Sequence, residues 1–126
     1  MSAHTPPSAP LPPHESAAAQ LQGRADYLDD LPEWQGMLHV APVLSPQACG
    51  QLRRLDLRAV RQAPGVVAVL TAQDLPGERL LATFVHDEPI LPETEVSHVG
   101  QVLALVVAHS HRAARQAAQL AQIDIA

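Results

Sequence analysis

"HVGQVLALVVAHSHRAARQAA", residues 98–118, contains the longest apolar run of the chain, the seven residues Val102 to Ala108. A His109-Ser110-His111 corner and an alanine-rich stretch follow it. An unbroken apolar run this short suits a central β-strand covered on both faces; a bilayer span needs about 20 residues. Ser110 stands at an N-cap position, where its hydroxyl can accept from an orphan N–H of the first helical turn. Ala113, Ala114, Ala117, Ala118 and Ala121 then fall on one helical face, with Arg112, Arg115, Gln116 and Gln119 on the other. "QIDIA", from Gln122, begins a second strand. Strand, helix and strand with short corners predict a C-terminal βαβ unit with a right-handed crossover, and hence a mixed α/β class.

The same stretch offers two chemistries. His109 and His111 are half of a zinc site, which needs at least one more protein ligand close by. His98 is the nearest histidine in sequence, but a strand of roughly ten residues puts it some 30 Å away, so the metal reading fails. Gly100-Gln101 reads as a bulge or a close backbone contact, because no further glycines follow to build a phosphate loop.

Upstream, Val66 to Leu70 is a nearly continuous β-branched run, expected to be a strand buried on both faces. Thr71 to Asp74 reads as one helical turn before Pro76-Gly77. "GMLHVAPVLSP" reads as a strand from Gly36 stopped by Ser45-Pro46. Leu52, Leu55 and Leu57 suit a short strand entering a helical turn, with Asp56 capping Leu57 to Arg61 and Ala63-Pro64-Gly65 closing it. "FVHDEPIL" (84–91) is an edge or hairpin arm, since Pro89 cannot donate to a central ladder. His86, Asp87 and Glu88 are consecutive, so in an extended chain they point apart and do not converge on one substrate.

Residues 1–15 carry five prolines, which predicts an extended or disordered leader; ordered structure is expected from near Gly23. "GRADYLDDLPEW" places Asp26, Asp29, Asp30 and Glu33 within eight residues. Their spacing does not match a calcium loop, and a solvated turn ended by Pro32 is the simpler reading.

Composition narrows the function classes. The 126 residues suit one domain after the leader. Tyr27, Trp34 and Phe84 are the only aromatics, so the core buries little area per residue and leans on something else. The net charge of −5 argues against nucleic-acid or anionic-membrane partners, and the arginines at 24, 53, 54, 58, 61, 79, 112 and 115 form no basic run. Cys49 is the only cysteine, which excludes an internal disulfide. No secretory signal or bilayer-length run is present, and the expected location is cytoplasmic.

Taken in order, "GRADYLDDLP" (23–32), "GMLHVAPVLSPQA" (36–48), "APGVVAVLTAQDLPG" (63–77), "HDEPIL" (86–91) and "VGQVLALVVAHSHRAARQAAQLAQI" (99–123) resemble one family. It is the N-terminal α/β hammerhead domain of the molybdopterin-binding large subunit in bacterial xanthine dehydrogenases, a domain shared with aldehyde oxidases. The resemblance covers residues 16–126 and implies a hammerhead with a mixed sheet.

It also implies a parent enzyme that hydroxylates hypoxanthine or xanthine, with water as oxygen source, at a molybdenum cofactor. Electrons would pass to NAD through two iron–sulfur clusters and FAD on a partner subunit. The family's cofactor loops and catalytic glutamate have no matching positions here. The resemblance therefore implies a fragment of the large subunit, a packing module with no catalytic, cofactor-binding or metal residue of its own. Gly100-Gln101 is the segment expected near the cofactor domain. The expected partners are the rest of the large subunit, the iron–sulfur/FAD subunit and a second copy of the fragment. The same domain of an aldehyde oxidase, and a free-standing binding module, stand as alternatives.

Overall fold

A computed structural model of the protein describes residues 14–82 and 86–126. Most of the proline-rich leader, and the Phe84-Val85 start of the expected hairpin arm, lie outside the described residues. Two compact units divide the chain between Trp34 and Gln35.

In the first unit, α1 (Ala17–Leu21) precedes a 3-10 turn at Leu28–Asp30. Ordered structure thus begins ahead of Gly23, where three consecutive alanines, the best helix formers, start α1. The acidic stretch is a turn: the Tyr27 N–H donates to Asp30 Oδ2 at 3.0 Å.

The second unit holds the sheets. β7 (Val102–Ala108) lies between β1 (His39–Leu44) and β3 (Val66–Leu70), antiparallel to both. Its centrality explains the unbroken apolar run, since Leu103, Ala104, Val106 and Ala108 are all buried. β3 is an edge strand, contrary to the expectation of a doubly covered one: Val69 is buried, whereas Val67 and Leu70 are exposed. Its β-branched residues favour a pleated, half-buried surface as well as a buried one.

β2 (Gly50–Asp56) pairs antiparallel with β6 (Glu95–Val96) and β8 (Gln122–Ile125) in a second sheet. The pairing of β2 with β8 runs on through reciprocal backbone bonds between Gln51 and Ala126. Gly50 meets this pairing at close quarters. A Cβ there would stand 2.6 Å from the Ala126 carbonyl oxygen, and its φ of +149° lies where side chains are disfavoured. β4 (Leu80–Ala82) and β5 (His86–Pro89) form a two-stranded hairpin, whose edges accommodate Pro89.

α2 (Arg58–Arg61) follows β2, and α3 (His111–Ala118) follows β7. The Ser110 hydroxyl accepts from the Ala113 N–H at 3.2 Å, capping α3. Ala114 and Ala117 are buried against the first sheet. The strand–helix–strand order β7–α3–β8 is the expected one and the fold is a mixed α/β hammerhead. β7 and β8 nevertheless pair in different sheets, so no parallel crossover exists whose hand could be read. The core joins both sheets through Val43, Leu57, Val60, Val69, Val96, Leu103 and Ile125. It is aliphatic among the described residues, with Tyr27 and Trp34 exposed.

Candidate functional site

Gly100 and Gln101 close a turn. The Gln101 N–H donates to the His98 carbonyl at 3.3 Å, and Gly100 occupies the third position with φ +80°. A type II turn needs positive φ at that position, which is why glycine stands there. A Cβ built on Gly100 would meet no atom within 4 Å outside its chain neighbours, so the glycine answers to the φ of the turn and not to crowding. Gln101 is buried and its Oε1 accepts from the Ser97 N–H at 2.7 Å. Its carbonyl accepts from Ser45, while the Gly100 N–H donates to the Ser45 carbonyl, each at 2.9 Å. The pair thus ties the end of β1 to the start of β7, a partnership invisible in sequence because Ser45 is over fifty residues upstream.

At the other end of β7 the structure brings an unforeseen histidine to the corner. His39, opposite Ala108 in the ladder, places its ring centroid 6.5 Å from that of His111. His98 precedes β7 and is not part of this corner. Among the described residues no three metal-ligating side chains gather. Asp26, Asp29, Asp30 and Glu33 are exposed in the first unit, and Asp30 caps its own turn. Asp87 and Glu88 are exposed at successive positions of β5, on opposite faces. Cys49 is an exposed free thiol.

The second unit also carries a groove of about 610 Å³ between β1, α3 and β8. Ala41, Val43, Ala118 and Ile123 make its apolar lining, with Arg115 and Gln119 at its side. These two residues, expected to belong wholly to the solvent face of α3, therefore border this groove. β1 and β8 each have one unpaired edge. Among the described residues the groove offers no nucleophile, base or oxyanion donor set.

The most perturbed carboxyl group is structural. Asp56 lies 2.6 Å from guanidinium nitrogens of both Arg58 and Arg54, and its Oδ1 accepts the Arg58 backbone N–H at 3.1 Å. The following helical turn starts at Arg58, one residue later than expected, so its N-cap residue is Leu57 and Asp56, expected there, stands one position before it. Arg58 above all, and then Arg54, hold the Asp56 carboxyl well below the usual carboxylate range. The Thr71 backbone N–H and hydroxyl lower Asp74 in the same sense. A carboxyl depressed by folding stabilises the fold above its unfolded pKa of about 3.9 and loses that contribution as pH falls through the folded value. Asp56→Asn is therefore expected to lower the melting temperature at neutral pH and to flatten its decline below about pH 4. Melting curves across pH check this.

Comparison with known proteins places this geometry. The family model described as aldehyde oxidase and xanthine dehydrogenase, a/b hammerhead domain, matches residues 22–126. Xanthine dehydrogenase/oxidase of Mus musculus is 36% identical over 107 residues, covering 82% of this chain and 8% of that protein. Among solved structures, the aldehyde oxidoreductase of Desulfovibrio gigas superposes with a TM-score of 0.77 at 31% identity, over 90% of this chain and 14% of its own. The CO dehydrogenase of Oligotropha carboxidovorans gives 0.78 at 30% identity, over 90% and 14%. The chain thus spans less than a tenth of the curated relative.

Proposed function

The chain belongs to the aldehyde oxidase and xanthine dehydrogenase a/b hammerhead family, and from that membership we propose that it serves as the packing domain of a xanthine dehydrogenase of the molybdenum hydroxylase class. The parent enzyme hydroxylates hypoxanthine and xanthine with oxygen from water, in the cytoplasm. Electrons leave through iron–sulfur clusters and FAD on a partner subunit to NAD. The likeness to the xanthine dehydrogenase/oxidase of Mus musculus supports this reading. The relation to the D. gigas aldehyde oxidoreductase supports a second one, in which the same domain serves an aldehyde-oxidising parent.

The described residues do not fit the cofactors themselves. A phosphate-bearing pterin seeks free backbone N–H groups at a turn, but those of Gly100 and Gln101 are bonded to Ser45 and His98. Iron–sulfur clusters take several cysteine thiolates, and Cys49 stands alone in the sequence. This chain's part is therefore mechanical: its apolar groove and open strand edges are covered by the rest of the large subunit.

The purified 126-residue chain is accordingly expected to carry no stoichiometric molybdenum, iron or zinc and to reduce no NAD with xanthine or an aldehyde. Elemental analysis and a coupled assay test this, and activity from the pure chain would overturn the packing role. Isolated, it should also self-associate through the open edge of β8 or the groove face. Sedimentation over a wide concentration range reads this out, and a strict monomer would contradict it.

A further inference from the structure

The groove between β1, α3 and β8 runs between two sheet edges of unequal chemistry. On the β7 side, Ser45 donates to the Gln101 carbonyl and accepts from the Gly100 N–H. Strand backbone groups alternate in direction, so Val40, Pro42 and Leu44 turn theirs to the open side of β1. Pro42 has no N–H, and the middle of that edge therefore lacks a donor. The β8 edge carries no such block. Gln51 and Ala126 exchange both bonds on the β2 side, which turns the N–H and C=O of Ile123 and Ile125 away from β2. The extra residue of the ladder lies in β2, between Leu52 and Arg54, so the alternation along β8 is unbroken. Among the described residues no other strand meets this edge.

Whatever fills the groove meets a mainly apolar wall, with Ala41, Ala118, Ala121 and Ile123 on it, and the unpaired β8 edge beside it. Covering both puts the N–H and C=O groups of Ile123 and Ile125 out of reach of water, and a buried backbone group without a partner is costly. A helix spends its backbone groups within itself and would leave them unsatisfied. An extended strand about 4.7–4.9 Å from β8 supplies the partners and sends alternate side chains onto the groove. A second copy of β8 is a poor strand for this purpose. Pairing Ile123 antiparallel with Ile125 of the second copy sets Asp124 opposite its own counterpart, and like charges directly opposite destabilise a pair. We propose that a strand from the rest of the large subunit, apolar toward the groove and without an acidic residue opposite Asp124, pairs with Ile123 and Ile125 and extends the β6–β2–β8 sheet. The source of the strand rests on the packing role of the domain, whereas the choice of edge rests on backbone geometry alone.

The test adds short synthetic strands to the dilute 126-residue chain: an alternating Val–Thr peptide, the same peptide N-methylated at its valines, and one in which a central Thr is replaced by Glu. The Val–Thr peptide is expected to bind and to slow hydrogen exchange at the Ile123 and Ile125 amides. Methylation should cost about tenfold or more in affinity, because it removes the donors of two inter-strand bonds. The Glu-bearing peptide should bind about threefold more weakly, and Asp124→Asn should narrow that difference. Slowed exchange at Val40 and Leu44 in place of Ile123 and Ile125, equal binding of the methylated peptide, or no binding at millimolar peptide would overturn the proposal. Protection of Ile123 and Ile125 that rises with chain concentration and resists the Val–Thr peptide would assign the edge to a second copy and overturn it too. Should Asp124→Asn fold poorly, the methylated peptide decides on the unaltered chain. Failure of the packing role would show instead in a reading frame that stops at Ala126, whatever the peptides do.

Discussion

Leu103→Ala is expected to be the most damaging single truncation in this chain, costing about 2–5 kcal/mol. Leu103 is 1% exposed, sits on the central strand β7, and belongs to the cluster that joins both sheets. The ladder between β1 and β7 slips there, with Val43 opposite Ala104 and Leu44 opposite Val102, so Leu103 is the extra residue of a bulge. Truncating a side chain buried in a shared core leaves a void that its surroundings refill only in part. Its neighbours are aliphatic, without the area a ring would bury. For a domain of this size each kcal/mol lowers the melting temperature by about 4–8 °C. Thermal unfolding should therefore show a fall of at least about 8 °C. A fall of only a degree or two would mean that the two sheets do not share one core.

The second large effect comes from adding volume. Ala117→Leu is expected to destabilise by about 1–3 kcal/mol through overpacking. Ala117 is 2% exposed and Ala114 fully buried, so α3 approaches the sheet as closely as a methyl side chain permits. The Ala113 methyl also lies 3.3 Å from where a Cβ on Gly65 would stand, so the neighbouring turn is packed just as closely. The three added carbons must lift the helix or distort β1 and β7. Substituting the exposed Arg112 by alanine should change stability by less than about 0.5 kcal/mol. Paired denaturant titrations separate the two outcomes, and equal effects would show that the alanine stripe is not the packing face.

These packing positions were legible in the sequence because their signals are local. The run Val102 to Ala108, the cap at Ser110 and the alanine period each lie within one element, and each has its expected place. Pairing is not local. Nothing around Val102 specifies that its strand meets His39–Leu44 and Val66–Leu70 antiparallel, or that Gln122–Ile125 joins Gly50–Asp56 in the other sheet. A parallel crossover was therefore the natural but incorrect expectation from order alone. β3 was misjudged for a related reason: a short apolar run records hydrophobicity, not how many neighbours the strand has.

The functional surfaces divide in the same way. Asp56 was readable as an acceptor at a helix start because the N–H it accepts lies two residues on. The roles of Gln101 and His39 depend on Ser45 and His111, remote in sequence, and no spacing rule reaches them. Function itself rested on five ordered segments resembling one family.

The role as one domain of a larger molybdenum hydroxylase is tested most directly by the nucleotide sequence beyond the codon for Ala126. The reading frame is predicted to continue without interruption into molybdopterin-binding sequence. A natural stop codon at that point, with no neighbouring gene for a molybdenum-binding subunit, would contradict it and leave a free-standing binding module in its place.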